Sequence, residues 1–289
     1  MGGTMTALTR EQANIMTNAL RIGVIGYGFV GSSVSFGFEN DYTKQLIIDP
    51  RLDEFDYDDL IMFNPQLTFV CVPTPPDADG NQDNSIIESV FAELARLRYK
   101  GIVVLKSTVQ PGNIKAMLAK FQGLKIVYNP EFLTEANARN DFVNPPFQIL
   151  GGKFEDCTVV ERAYNNYSNV RLCATYKVDA VTASMLKYTI NSFLAMKVTF
   201  FNEINNVFEN SGTTDSWNTF TDILAQEPRV GSSHMKVPGP DGQRGFGGNC
   251  FPKDTSAFVN YSKELGDDYV LNLLESAVNI NKTMRGVDK

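Results

Sequence analysis

Seven short runs rich in β-branched residues punctuate the first 180 residues: RIGVIGY from 21, QLIID from 45, LTFVCVP from 67, GIVVLKS from 101, KIVYNP from 125, FQILGG from 147 and NVRLCATY from 169. Between them lie stretches such as SIIESVFAELARL and NIKAMLAKF, whose apolar residues fall at helical spacing. Apolar strands alternating with helices of this length are covered on both faces, which predicts an α/β, doubly wound parallel sheet. The pattern then changes. From Val178 to Asn210 there is neither glycine nor proline, apolar residues keep helical spacing, and Ser211-Gly212 supplies a stop, so one long helix is predicted. Further helix candidates at 215–226, 253–265 and 268–285, separated by a Gly- and Pro-rich loop from Val230 to Pro252, make the second part an all-helical domain.

Composition narrows the function. The formal net charge is -7 and the pI about 4.9, against the clustered Lys and Arg excess that phosphate backbones require, so no nucleic-acid partner is expected. No apolar run reaches the roughly 18 residues of a membrane span, and MGGTMTALTREQANIMTNAL has no basic-then-apolar leader layout; a cytoplasmic protein is expected. Cys71, Cys157, Cys173 and Cys250 are scattered, with no CxxC and a single histidine, His234. Neither a disulfide framework nor a metal site is expected from that pattern.

Gly26-x-Gly28-x-x-Gly31 follows the first strand and opens a helix. Such a turn lets backbone N–H groups approach a pyrophosphate at the helix N-terminus, a Rossmann-like arrangement. Asp49 closes the next strand, where a carboxylate can hold the two hydroxyls of an adenosine ribose and repel a 2′-phosphate, favouring NAD over NADP. The bland alternative is a tight turn and a capping carboxylate. Only residues 50 to 66 separate Asp49 from the third strand, little space for the usual helix, strand and helix, so the sheet is expected to lack a strand there.

The stretch GFGGNCFPKD, residues 245–254, sets Cys250 between glycines and a lysine three residues on. A loop bending around a small anionic group, with a thiol in reach of a cation, fits that composition. Lys187 and Asn191, four apart on the predicted long helix, share a face and could stabilise an oxyanion; a solvated lysine and a surface asparagine would show the same spacing. Glu131 and Glu135 could simply be helix N-terminal acids. Cys71 is expected in the core, and His234, with no candidate partner beside it, on the surface.

FVCVPTP (69–75), KSTVQPG (106–112), NPEFLTEANARNDFVNPPFQILGG (129–152), ASMLKYTINSFLAMKVTFFNE (183–203) and GFGGNCFPKD stand in this order behind GYGFVG. Together they closely resemble the UDP-glucose dehydrogenase and GDP-mannose dehydrogenase family, from about residue 21 onward. The resemblance implies an NAD-binding Rossmann-like domain at 21–177 after an extension at 1–20, and a helical central and dimerisation domain at 178–289. It implies a nucleotide-sugar 6-dehydrogenase, UDP-glucose being the first choice of substrate, that oxidises a primary alcohol to a carboxylate and reduces two NAD.

By position, the resemblance makes Cys250 the nucleophile that captures the aldehyde, with Lys187 and Asn191 on the alkoxide and thiohemiacetal oxygen. Glu131, Thr108 and Asp254 would position or activate water. Gly26, Gly28, Phe29, Val30, Gly31, Asp49, Val72, Pro73, Thr74, Ser107, Thr108, Glu135 and Lys253 would meet the cofactor. Phe132, Leu133, Thr134, Phe246, Gly247 and Gly248, with Lys187 and Asn191, would meet the sugar substrate.

Two departures stand out. Family members continue into a third α/β domain that binds the substrate's nucleotide, whereas this sequence stops at Lys289; a compact dehydrogenase closing its site with a partner subunit, as a homodimer through the long helix, is expected. Ser184 replaces a common Glu, and Asn249 a common Ser. The rival readings are a single-step 3-hydroxyacid dehydrogenase, which uses the Lys-x-x-x-Asn pair but no Cys250, and an NAD-binding scaffold without turnover.

Overall fold

A computed structural model describes residues 19–52, 54–77, 80–134 and 136–286; most of the 1–20 extension lies outside them. The chain divides into two compact units, one formed by residues up to Thr74 together with Asp83–Lys187, the other by Pro75–Gln82 with the residues from Tyr188 onward.

The first unit is a seven-stranded sheet in the order β2-β1-β3-β4-β5-β6-β7. Its strands are β1 Leu20–Ile25, β2 Thr43–Ile48, β3 Leu67–Val70, β4 Ile102–Leu105, β5 Lys125–Tyr128, β6 Phe147–Gly151 and β7 Ala174–Val178. Side chains alternate between two cores. Ile22, Val24, Leu67, Phe69, Ile102 and Val104 face one way, while Ile25, Val70, Val103 and Leu105 face the other, the period of two that a doubly covered strand requires. Helices α1 (Phe29–Gly37) and α6 (Phe154–Tyr167) cover the first face through Val34, Cys157, Val160 and Tyr164. The second is covered by α3 (Ser85–Arg96) and α4 (Pro111–Lys120) through Ile87, Phe91, Leu94 and Ile114.

The short passage after Asp49 has a simple outcome: it holds one seven-residue helix, α2 Tyr57–Phe63, closed by a reciprocal Asp56–Asp59 capping box, and β2 is left as the edge strand. The expected parallel sheet is present with one antiparallel pair: β6 runs antiparallel to β5 and meets it only where Tyr128 faces Gly151. Among the described residues the β5–β6 connection holds one six-residue helix, α5 Ala138–Val143, and the chain turns at the carboxyl edge of the parallel strands. The seventh strand also starts late. Asn169 and Arg171 spend their N–H groups on Gly37 O and Val143 O, and pairing with β6 begins only at Ala174.

The second unit is helical. The long helix α7 spans Ala180–Glu209, 30 residues, and its last turns from Tyr188 onward belong here with α8 (Trp217–Leu224), α9 (Phe251–Glu264) and α10 (Asn272–Arg285). One small core gathers Tyr188, Phe258, Val259 and Leu274, and another gathers Phe201, Trp217 and Met235. The glycine-rich loop before α9 is bound by side chains: Asn281 accepts Phe246 N–H at 2.7 Å and donates to Phe246 O at 3.0 Å. Asn281→Ala removes both and leaves buried backbone groups unmet, which should lower unfolding stability by about 2 kcal/mol, read as a fall in the urea midpoint at unchanged slope; an unaltered midpoint would show that the loop is held elsewhere.

Candidate active site

The glycine turn shows why each glycine is there. Gly26 has φ +88°, and a Cβ on it would stand 2.8 Å from Cys71 O; one on Gly31 would stand 1.9 Å from Gly26 O. Gly28, by contrast, has no heavy atom within 4 Å of its Cβ position. It is the N-cap of α1 and offers no side-chain cap, so the N–H groups of the first turn, at Phe29 and Val30, face an open side suited to an anion. Asp49 is buried, accepts Tyr27 N–H at 2.6 Å, and is gripped by the largely exposed Arg51 through Nε at 2.8 Å and Nη2 at 2.9 Å. That side-chain pairing, with the N–H groups of Tyr27 and Arg51, outweighs burial and holds its carboxyl far below the usual range. Val72, Pro73 and Thr74 follow β3 beside this turn, and Ser107 Oγ donates to Val72 O at 2.6 Å.

Glu131 and Lys187 form the second feature of this unit. Glu131 lies in the turn after β5, is 7% exposed, and accepts Leu133 N–H at 2.6 Å. Lys187, 3% exposed on α7, donates to Glu131 Oε1 at 3.1 Å and to the Glu131 carbonyl, with its ammonium 5.2 Å from the centroid of the Phe132 ring. Burial opposes the Glu131 charge, yet Lys187, the Leu133 N–H and Lys106 together hold its carboxyl below the ordinary value. Ser184, one turn earlier on α7, donates to Val109 O at 2.6 Å and so ties the helix to the loop that carries half-buried Thr108. Thr134 gives both its N–H and its hydroxyl to Asp141.

In the helical unit Cys250 is the N-cap of α9 and half-buried, at the head of a fourteen-residue helix. Asp254, in its first turn and 1% exposed, accepts Asn191 Nδ2 at 2.7 Å and pairs through its other oxygen with Lys253. Phe246 is buried, and a Cβ on Gly247 would stand 2.6 Å from the Arg285 guanidinium. Lys187 and Asn191 sit on successive turns of α7, so one helix carries a member of each set.

Several sequence expectations change. Lys187 and Asn191 are buried and bonded rather than solvated. Lys253 is paired with Asp254, which leaves its expected place on the cofactor as it was. His234 is not a surface residue: it is half-buried, its ring centroid 5.7 Å from that of Phe251, and burial followed by the charge of Lys197 pushes its pKa down. Glu135 lies outside the described residues. Cys71 is core, its thiol pushed up to about 12 by burial.

Residues 55–170 match the NAD binding domain of the UDP-glucose/GDP-mannose dehydrogenase family, and residues 181–283 match that family's central domain. The chain belongs to the UDP-glucose/GDP-mannose dehydrogenase family. It is 30% identical over 234 residues to the UDP-glucose 6-dehydrogenase YwqF of Bacillus subtilis, covering 77% of this chain and 50% of that protein. The chain thus spans about half the length of that curated relative. A UDP-glucose dehydrogenase structure from Pyrobaculum islandicum superposes with a TM-score of 0.76 at 24% identity, covering 96% of this chain and 70% of the other. The 3-hydroxyisobutyrate dehydrogenase of Mycobacterium tuberculosis shares the fold at a TM-score of 0.69 and 15% identity, over 93% of this chain and 94% of its own.

As this family's NAD-binding domain, the first unit fits its cofactor: two glycines locked by backbone contact, a third left open, uncapped helix N–H groups and a carboxylate at the second strand's end. Gly31→Ala should therefore destroy the turn and give little folded protein. Gly28→Ala should melt within a few degrees of the parent yet bind NAD at least tenfold more weakly, as isothermal titration would read; equal affinity would remove Gly28 from the pyrophosphate side. Asp49→Ala should weaken NAD without a selective effect on NADP, and an unchanged NAD dissociation constant would take Asp49 out of the site.

Proposed function

We propose that this chain is an NAD-dependent nucleotide-sugar 6-dehydrogenase that oxidises UDP-glucose, or a related sugar nucleotide, to the uronic acid in two steps. The observation that carries the reading is the α7 helix with its two buried acid partnerships: Lys187 with Glu131 in one unit, Asn191 with Asp254 in the other. Such groups are held ready to meet developing negative charge on oxygen.

NAD, when bound, accepts the hydride in each oxidation. Lys187 would steady the alkoxide as the primary alcohol becomes an aldehyde, its proton leaving to solvent. The Cys250 sulfur then adds to the aldehyde carbon, and Asn191 would hold the resulting oxygen of the thiohemiacetal. Loss of a second hydride, with the proton of the thiohemiacetal hydroxyl leaving to solvent, gives a thioester on Cys250. Water, oriented by ionised Glu131 with Thr108 and Asp254, adds to it; the carbon–sulfur bond breaks, releasing the carboxylate and restoring the thiol. Phe132, Leu133 and Thr134 would line the sugar, with Phe246, Gly247 and Gly248 on the thiol loop.

The long helix also suggests how copies pair. Leu186, Phe193, Phe200 and Val207 recur every seven residues and are exposed, between 37% and 67%, the spacing of a helix seam. A homodimer through α7 fits them. No described helix is long and apolar enough to cross a membrane, and we place the protein in the cytoplasm. The domain limits we assign are 21–177 and 178–289.

A second reading has its own support, since the likeness to the 3-hydroxyisobutyrate dehydrogenase covers nearly the whole of that protein. NADH formed per limiting UDP-glucose decides between them: two per sugar is expected, with Cys250→Ser halting before the second while NAD affinity stays the same. One NADH per substrate from a hydroxyacid, undiminished in Cys250→Ser, would sink the two-step reading.

A further inference from the structure

Lys106 is a buried cation to which the chemistry above gives no task. It is 4% exposed at the carboxyl end of β4. Its ammonium donates to Asn129 Oδ1 at 3.0 Å and lies 5.7 Å from the centroid of the Phe142 ring. Asn129 is anchored from three further directions: its N–H reaches Leu105 O at 2.8 Å, its Nδ2 reaches Ile149 O at 2.9 Å, and Tyr164 gives its hydroxyl to the same Oδ1 at 2.8 Å. Two residues on comes Glu131. The turn from Asn129 to Glu131 is therefore strung between two buried ammonium groups, Lys106 at its start and Lys187 at its acidic residue.

Among the described residues, Glu131 is the buried carboxylate that faces both lysines. Cys71 is neutral because burial pushes its thiol up to about 12, and burial likewise keeps the Tyr164 hydroxyl protonated. Asp141, which lines the same cavity of about 230 Å³, is only half-buried and takes its hydrogen bonds from Thr134 rather than from either lysine. Burial lowers the Lys106 ammonium to about 8, with the help of Lys187 and against the pull of Glu131. Lys106 is thus charged at neutral pH and contributes to the depression of the Glu131 carboxyl.

We propose that Lys106 is a positioning residue for Glu131: it fixes the turn through Asn129 and supplies the constant positive charge that keeps Glu131 ionised when Lys187 gives its hydrogen bonds to the reacting oxygen. The inference rests on the reading that Lys187 meets that oxygen. Without Lys106, a Glu131 deserted by Lys187 would be a buried carboxylate with the Leu133 N–H but no cation beside it, and burial then favours its taking up a proton.

The test follows the Glu131 carboxyl carbon by 13C NMR in the full chain without NAD, the signal being assigned by its loss in Glu131→Gln. In the parent two inflections are expected, one for Glu131 itself and a second near pH 8 as Lys106 loses its proton. Lys106→Gln keeps a donor for Asn129 but removes the charge; it should abolish the second inflection and raise the Glu131 midpoint by about one unit, tenfold in proton affinity. Lys106→Arg should hold the midpoint at the parent value. A single inflection in the parent, or an unmoved midpoint in a folded Lys106→Gln, overturns the proposal, and the first of these needs no variant. The titration needs no turnover, so failure to form NADH would count against the proposed activity alone.

Discussion

An ammonium group cannot be buried without a fixed partner, and the burial of Lys187 against Glu131 organises the first unit around it. Removing one member of such a pair costs on the order of 3–5 kcal/mol, so everything that places Glu131 is under strong constraint. The reversal of β6 is part of that placement. Because the chain stays at the carboxyl edge after β5, residues 129–146 remain beside the strand ends, where Asn129 can reach Ile149 O and Glu131 can turn inward. In a wholly parallel sheet those residues would be spent on a crossover.

The same edge carries the glycine turn. Gly31 packs on Gly26 O and Gly26 on Cys71, so α1 enters close against β3, and the loop from Cys71 to Thr74 leaves from that contact. Asp49 then joins β2 to the turn through Tyr27 N–H. Carboxyl-edge sites on α/β sheets arise because every strand end there opens into a loop free to carry function.

How much of this was legible in the residues follows from the range of the interactions. Strand and helix periods are local, so QLIID, KIVYNP and the glycine-free stretch behind α7 could be read directly, and six ordered motifs pointed to the family. The direction of β6 depends on what 129–146 does in three dimensions, and NVRLCATY has strand composition even where Asn169 and Arg171 are bonded to Gly37 and Val143. Lys106 follows four apolar residues of a predicted strand, a position that signals burial, but its Asn129 partner is 23 residues on. His234 was expected on the surface because no candidate partner adjoins it in sequence; its neighbour in space is Phe251.

The thiol loop shows the opposite of what its composition suggests. A stretch with three glycines between 245 and 248 should be mobile, since glycine has the most backbone freedom to lose. Here two of the three admit an approach that a side chain would block: Gly245 at φ +74° lets Asn281 Oδ1 in, and Gly247 makes room for Arg285. Arg285 in turn bonds Gly245 O and Asp241, while Arg244 reaches Asn202 O and Asn205 on α7. The glycines are there because distant polar side chains come close to the backbone, and those side chains remove the freedom the glycines bring. The loop that leads to Cys250 at the head of α9 is thereby held by residues from two other helices, so its ordering entropy is met in folding.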